Sequence, residues 1–138
     1  MSFQNPSDAE IRALLQRVKT IAVVGLSPKP DRPSFGVSKI MQSQGYRIIP
    51  VRPGVQEVLG ETAYADLAAV PHAIDLVNVF RNAQEVDSVV DEAIRLKLPA
   101  IWIQLGIVNE AAAQRARDAG LFVVMDRCIK IEWRRLCN

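Results

Sequence analysis

The chain has 138 residues, of which 49% are hydrophobic, and a formal net charge of +2 from 17 basic and 15 acidic residues. This length favours one domain, the charges form no long run of one sign that would indicate a nucleic-acid-binding protein, and no apolar run approaches the roughly 20 residues of a membrane span. Because the first twenty residues also lack a signal-peptide core, we expect a single cytoplasmic domain over residues 1–138 that binds neither nucleic acid nor membranes.

Apolar residues recur alternately at helix and strand spacing along the chain. In chain order they predict a helix at residues 7–18, a strand at 20–24, a helix from 34 to 45, a strand at 46–51, a short strand near 62–64, a strand at 74–80, a helix from 82 to 94, a strand at 100–105, a helix from 109 to 120, a strand at 121–125 and a helical tail at 129–136. Such alternation indicates a mostly parallel sheet with helices on both faces. We therefore predict a Rossmann-like α/β fold, a three-layer α/β/α sandwich with five or six strands.

Polar residues mark the starts of several predicted helices. Ser7 with Glu10, and Asn82 with Glu85, have the spacing of a capping box, in which each side chain binds the backbone N–H of the other residue. Ser34 is placed to cap the second helix with its hydroxyl. Each cap marks the residue at which the preceding loop ends and a helix begins.

Ligands of such sheets bind beyond the carboxyl ends of the strands, where the strand order reverses. This rule selects the loops at residues 25–34, 51–54, 80–82 and 104–109. In the first loop Gly25 ends the apolar run, and Ser27 offers a hydroxyl and backbone N–H groups. Lys29 and Arg32 add positive charge just before a helix start, a typical position for binding a diphosphate. The alternative is that both are ordinary solvated charges.

The same loop does not fit the commonest dinucleotide fingerprint. A GxGxxG sequence needs glycines where Ser27 and Pro30 stand, and the proline also removes an N–H donor. Where NAD-binding domains carry an acidic residue after the second strand, this chain has Arg52, which suits a ribose that carries a phosphate. The residues by themselves therefore leave two ligand classes open, NADP and coenzyme A (CoA).

Seven short motifs lie near the ends of the predicted elements, namely Val24-Gly25-Leu26-Ser27, Arg32-Pro33-Ser34, Gly45-Tyr46, Ile49-Pro50-Val51, Val79-Phe80-Arg81, Trp102-Ile103-Gln104-Leu105-Gly106 and Val124-Met125-Asp126-Arg127-Cys128. Together they resemble the small single-domain CoA-binding proteins, which are similar to the N-terminal CoA-binding domain of the succinyl-CoA synthetase α subunit. The resemblance covers nearly the whole chain. Members of that family often carry Asn at the position of Arg52, which here would meet the 3′-phosphate.

The resemblance implies CoA or an acyl-CoA as the ligand. Its diphosphate would lie at residues 25–34 and its adenosine end near residues 51–53. Its pantetheine arm would pass Phe80 and Arg81 towards Gln104. The cofactor-binding residues that the resemblance implies are Gly25, Leu26, Ser27, Lys29, Arg32, Pro33, Ser34, Val51, Arg52, Pro53, Phe80, Arg81, Gln104 and Gly106.

Several of the matching residues also have a purely structural interpretation. Phe80 and Trp102 suit a buried position in the sheet, and Arg81 suits a place beside the Asn82 cap. Asp126 and Arg127 suit a structural ion pair or a helix cap.

Few residues of the sequence are candidates for catalysis. The single histidine, His72, falls in a predicted surface loop, and Asp87, Asp91 and Glu92 fall on a helix face that needs no catalytic explanation. Cys128 and Cys137 lack the spacing of a metal site, although the cations beside Cys128 would make an exposed thiol there more reactive.

We therefore predict a protein that binds CoA or an acyl-CoA without catalysis of its own, with no metal and with its protein partner, if any, unknown. Two alternatives stay open: an NADP-dependent oxidoreductase or redox sensor, and a detached subunit of an acyl-CoA ligase that works with a separate ATP-binding chain. The second alternative follows from the family resemblance. Ligases of the succinyl-CoA synthetase type transfer phosphate through a histidine in a second domain, for which a chain of 138 residues has no room.

Overall fold

The computed structural model describes residues 3–137 and contains a five-stranded parallel sheet between two layers of helices. In chain order the elements are α1 (Asp8–Arg17), β1 (Thr20–Val24), α2 (Pro33–Ser43), β2 (Arg47–Val51), β3 (Glu57–Val58), β4 (Glu61–Thr62), a 3₁₀ turn (Leu67–Ala69), β5 (Leu76–Val79), a second 3₁₀ turn (Ala83–Glu85), α3 (Val86–Arg95), β6 (Ala100–Ile103), α4 (Glu110–Asp118), β7 (Phe122–Met125) and α5 (Ile129–Leu136). The strand order is β2-β1-β5-β6-β7, and all neighbours are parallel. The predicted Rossmann-like sandwich is confirmed.

Each face of the sheet has its own apolar core. Side chains of α1, α2 and α5 pack with Ile21, Val23 and Trp102 on one face, whereas α3 and α4 pack with Ala22 and Val77 on the other. Because successive strand residues point to opposite faces, a strand that is covered on both sides is mostly apolar. A buried polar exception such as Asn78 in β5 has a hydrogen-bond partner, here Gln104. This double coverage explains the uninterrupted apolar runs from which the strands were predicted.

The helix starts agree with the predicted caps in part. At α1 the reciprocal bonds of Ser7 and Glu10 are both present, as predicted. The Asn82 side chain accepts the Glu85 N–H, but it begins a 3₁₀ turn, and α3 starts only after that turn. The prediction that Ser34 caps α2 is wrong, because the helix begins one residue earlier, at Pro33, and Ser34 lies within its first turn.

The region before β5 was the least regular in sequence. The short strand predicted near residues 62–64 corresponds to β4, which pairs with β3 in an antiparallel ribbon apart from the main sheet. The main sheet therefore has five strands. Along residues 3–137, no helix combines the length and the apolar character that crossing a membrane requires.

Candidate functional site

The strand order places a topological switch point between β1 and β5. From β1 the chain continues outward to β2 on one side, while β5, β6 and β7 extend the sheet on the other side. Loops that leave two such strands diverge and open a crevice at the carboxyl ends, which is where doubly wound sheets bind ligands. Here the crevice lies between the predicted loops that start at Gly25 and Phe80.

Gly25 turns the chain out of β1 under tight constraints. Its φ is +86°, and a Cβ atom at this position would lie 2.5 Å from the Phe80 carbonyl oxygen. Its N–H donates to the Val51 carbonyl oxygen at 2.9 Å, so backbones on both sides of β1 fix the turn. The glycine is therefore required by the contact between neighbouring chain segments, whatever occupies the crevice.

Two buried serines hold the loop after Gly25. The Ser27 N–H donates to Ser34 Oγ at 2.9 Å, and Ser27 Oγ accepts the Lys29 N–H at 3.1 Å. The Ser27 N–H predicted to be offered to a ligand is thus used within the protein, although the hydroxyl proton remains available to donate. Ser34 fastens the loop to the start of α2, which is the role it has in place of a helix cap.

A cavity of about 550 Å³ occupies the crevice, and three cationic side chains line it. Lys29 and Arg32 come from the loop after β1, and Arg52 comes from the end of β2. No Asp or Glu of the described residues lines this cavity, and within residues 3–137 none of the three cations takes part in a salt bridge. The cavity is therefore a concentration of uncompensated positive charge in a concave site.

A second cavity of about 410 Å³ adjoins the first, since Pro33 and Phe80 line both. Its lining is mostly apolar, and its polar residues are Arg81, Asn82 and Gln104, with Cys128 beside them. Phe80, which is half-buried, is one of the two residues that the linings share. The site thus changes from cationic at the β2 side to apolar at the β6 side.

Two hydrogen bonds between residues far apart in the chain hold the loop after β6, beside the second cavity. Gln104 is 3% exposed, and its Nε2 donates to Asn78 Oδ1 at 2.7 Å. The Gly106 N–H donates to Asp126 Oδ1 at 2.7 Å, which ties the β6–α4 loop to the end of β7. The Gln104 side chain and the backbone at Gly106 therefore have defined positions.

The structure distributes the predicted site residues as follows. Those that line the first cavity are Gly25, Ser27, Lys29, Arg32, Pro33, Ser34, Arg52, Pro53 and Phe80. Arg81 and Gln104 line the second cavity. Leu26 and Val51 are buried in the core, and Gly106 serves the loop bond described above. Other residues that line the cavities were not among the predicted site residues, because nothing local distinguishes a lining side chain from a loop residue; they are Gly54, Val55, Asn82, Leu105, Ile107 and Ile131.

The residues with a structural interpretation have structural contacts. Trp102 is fully buried, as predicted, and its Nε1 donates to the Arg127 carbonyl oxygen at 2.8 Å. Asp126 and Arg127 do not pair with each other, because Arg127 forms a salt bridge with Glu132 instead. Arg81 pairs with Glu85 at the edge of the second cavity.

The histidine and the aspartates that were considered as catalytic candidates lie outside both cavities. His72 is exposed and contacts Arg47 at 3.1 Å, and it lines neither cavity. Asp87 and Asp91 both pair with Arg115 on the exposed surface between α3 and α4. Among the residues that the structure describes, no group of three or more His, Cys, Asp or Glu side chains is arranged to hold a metal ion.

These features define a class: doubly wound α/β domains that carry a cation-lined cavity at the switch point of the sheet. Residues 19–134 match the family described as CoA binding domain, so the chain belongs to that family, and the predicted resemblance is confirmed.

Other proteins are similar to this chain in sequence or in fold. The chain is 50% identical over 129 residues to the uncharacterized protein YneT of Bacillus subtilis, covering 94% of this chain and 96% of that protein. A hypothetical protein from Pyrococcus horikoshii superposes with a TM-score of 0.92 at 35% identity over 100% of both chains. An acetyl-coenzyme A synthetase of Ca. Korarchaeum cryptofilum shares the fold, with a TM-score of 0.70 and 21% identity over 78% of this chain and 26% of that chain.

Proposed function

We propose that this protein binds CoA or an acyl-CoA in the two adjoining cavities and has no catalytic activity of its own. The observation that carries the proposal is the set of three unpaired cations around the cavity at the switch point. Membership of the CoA binding domain family supports CoA as the nucleotide.

The cation-lined cavity suits the phosphates of CoA, a diphosphate and a separate 3′-phosphate on the ribose. Lys29 and Arg32 belong to one loop and suit the diphosphate, beside the start of α2. Arg52 follows β2, where its Nη1 donates to the Gly25 carbonyl oxygen at 3.5 Å, and it suits the 3′-phosphate, since a guanidinium can bind phosphate oxygens through two parallel hydrogen bonds. A partly shielded bond of this kind contributes about 1.5–3 kcal/mol.

The adenine and the pantetheine arm of CoA suit the more apolar parts of the two cavities. Pro53 and Val55 supply apolar contact for the adenine beside Arg52. The pantetheine arm would pass Phe80 into the second cavity, where apolar side chains suit its methylene and methyl groups and the Gln104 amide suits its peptide-like groups. The change from cationic to apolar lining therefore follows the chemistry of CoA from phosphates to thiol.

We infer binding without catalysis because the acid, base and metal-binding candidates of the sequence have other positions or partners. His72 and Asp91 lie outside both cavities, and Glu92 accepts the N–H groups of Leu67 and Ala68. A CoA-binding partner or regulatory subunit is the role that such a site supports.

Isothermal titration with CoA, dephospho-CoA and NADPH tests the proposal. We expect CoA to bind more tightly than dephospho-CoA, and we expect Arg52→Ala to weaken CoA binding while leaving dephospho-CoA binding nearly unchanged, because only CoA has the 3′-phosphate. Tight binding of NADPH with no response to CoA would reject the proposal in favour of the NADP alternative. Ligase activity that appears only with a co-purified ATP-binding chain would favour the detached subunit.

A further inference from the structure

A thiol lies in the second cavity. Cys128 precedes α5 as its N-cap residue, is half-buried, and lines this cavity together with Phe80 and Gln104. The chain has a second cysteine, Cys137, which follows the other end of α5 and lines neither cavity. One of the two thiols is therefore placed where a bound ligand can reach it.

The neighbouring Gln104 side chain independently indicates a ligand in the same cavity. It is 3% exposed, and the bond from its Nε2 to Asn78 Oδ1 leaves its carbonyl oxygen to accept a further hydrogen bond. Amide N–H groups, of which the pantetheine arm has two, are suitable donors. A buried amide that lines a cavity holds a passing chain in a defined position better than apolar contacts do.

Pro33 and Phe80 line both cavities, so the cavities are neighbours, and a molecule as long as CoA with its phosphates in the first cavity can extend its other end into the second. In CoA that end is a thiol. This step rests on the proposed function, because it assumes that CoA binds with its phosphates in the cationic cavity and its thiol end in the apolar cavity. It brings the ligand sulfur into the cavity that Cys128 lines.

We propose that Cys128 forms a mixed disulfide with CoA by exchange with CoA disulfide. The Cys128 thiolate attacks one sulfur of the CoA disulfide, a Cys128–CoA S–S bond forms, and the CoA–CoA S–S bond breaks. The departing CoA thiolate takes up a proton from water. Cys128 is thereby oxidised and one CoA is reduced, and attack by a free thiol on the mixed disulfide reverses the reaction.

Binding at the cationic cavity accelerates this exchange by proximity, because it holds one CoA half in place before the sulfurs react. The same attachment is not available to Cys137, which lies outside both cavities. Burial also raises the pKa of the Cys137 thiol, which reduces its reactive fraction. The proposal therefore predicts a site-selective and saturable reaction.

Intact-mass spectrometry under non-reducing conditions tests this proposal on the full chain. The wild-type protein, Cys128→Ser and the matched control Cys137→Ser are incubated with CoA disulfide or with pantethine, the corresponding disulfide without phosphates. We expect one CoA adduct on the wild type and on C137S, none on C128S, and removal of the adduct by dithiothreitol. We expect the rate to saturate with CoA disulfide and to exceed the rate with pantethine at least tenfold.

Equal rates with both disulfides, or an adduct on Cys137 instead, would overturn the proposal. Titration of the reduced proteins with CoA separates it from the proposed function. If the wild type and C128S both bind CoA but the wild type forms no adduct, the covalent step is wrong and the proposed function stands. If the reduced wild type does not bind CoA, the proposed function fails first. A circular dichroism spectrum of C128S like that of the wild type excludes misfolding as the cause of a missing adduct.

Discussion

Gly25→Ala tests whether the turn after β1 is set by the protein backbone. The new Cβ would lie 2.5 Å from the Phe80 carbonyl oxygen, and the residue would keep a φ of +86°. The left-handed conformation costs a non-glycine residue about 1–2 kcal/mol, and relief of the close contact costs about 1–3 kcal/mol more. We expect a total loss of about 2–5 kcal/mol, a large part of the roughly 5–15 kcal/mol that stabilises a typical domain.

Gly54→Ala is the matched control, because Gly54 lines the same cavity and has a φ of +75°, but a Cβ there meets no atom within 4 Å. It should therefore lose only the conformational part, about 1–2 kcal/mol. Urea unfolding followed by circular dichroism measures both variants. If G25A is no less stable than G54A, the close approach of the Gly25 and Phe80 segments is not what requires the glycine.

Three further predictions concern other parts of the chain. Trp102→Phe should lower the free energy of unfolding by roughly 2–4 kcal/mol in thermal unfolding, because it leaves the Arg127 carbonyl oxygen without its donor and a void in the core. Hydrogen bonds and charge from Arg135 and Arg127 hold the pKa of Glu132 below its usual range. The ionised Glu132 carboxylate therefore contributes its full stabilisation above about pH 5, and this contribution is lost as the pH falls through the lowered pKa. The difference in unfolding free energy between the wild type and Glu132→Gln should accordingly shrink below about pH 4. Replacing both Lys29 and Arg32 by Ala should weaken CoA binding about tenfold or more and flatten its salt dependence, which titration at two ionic strengths measures.

Controls sharpen the last two of these measurements. Arg12→Ala with Lys39→Ala removes the same net charge from exposed helix positions outside both cavities, and should leave CoA affinity nearly unchanged. An equal loss of affinity in both double variants would mean that net charge, and not the loop, governs binding. A stability difference for E132Q that stays constant from pH 7 to pH 3 would contradict the role of the arginine contacts.

The periodicity of the sequence was sufficient to predict the sheet and its helices, because burial on one or both faces leaves a direct record in the spacing of apolar residues. It was not sufficient for side chains whose role depends on a distant partner. A serine at a helix start either caps the helix or binds a neighbouring loop, and only the folded position of Ser27 shows that Ser34 does the latter. In the same way, the sequence indicates a turn at Gly25 but not the Phe80 carbonyl oxygen beside it.

The candidate site shows the same limit. Lys29, Arg32 and Arg52 were selected by their positions after strands, and the fold brings all three to one cavity because parallel strands end at one edge of the sheet. Leu26 and Val51 stand in the same motifs, yet their side chains point into the core. Neighbouring residues of a motif can therefore face the ligand or the core, and the sequence does not distinguish them. The adjacency of the two cavities, which share Pro33 and Phe80, arises from residues far apart in the chain and has no local signal.

The most direct test of the central claim is a crystal structure of the protein grown with excess CoA under reducing conditions. We expect the diphosphate at Lys29 and Arg32, the 3′-phosphate within hydrogen-bond distance of Arg52, and the pantetheine arm running past Phe80 into the apolar cavity. CoA bound elsewhere, or phosphates that contact none of the three cations, would contradict it.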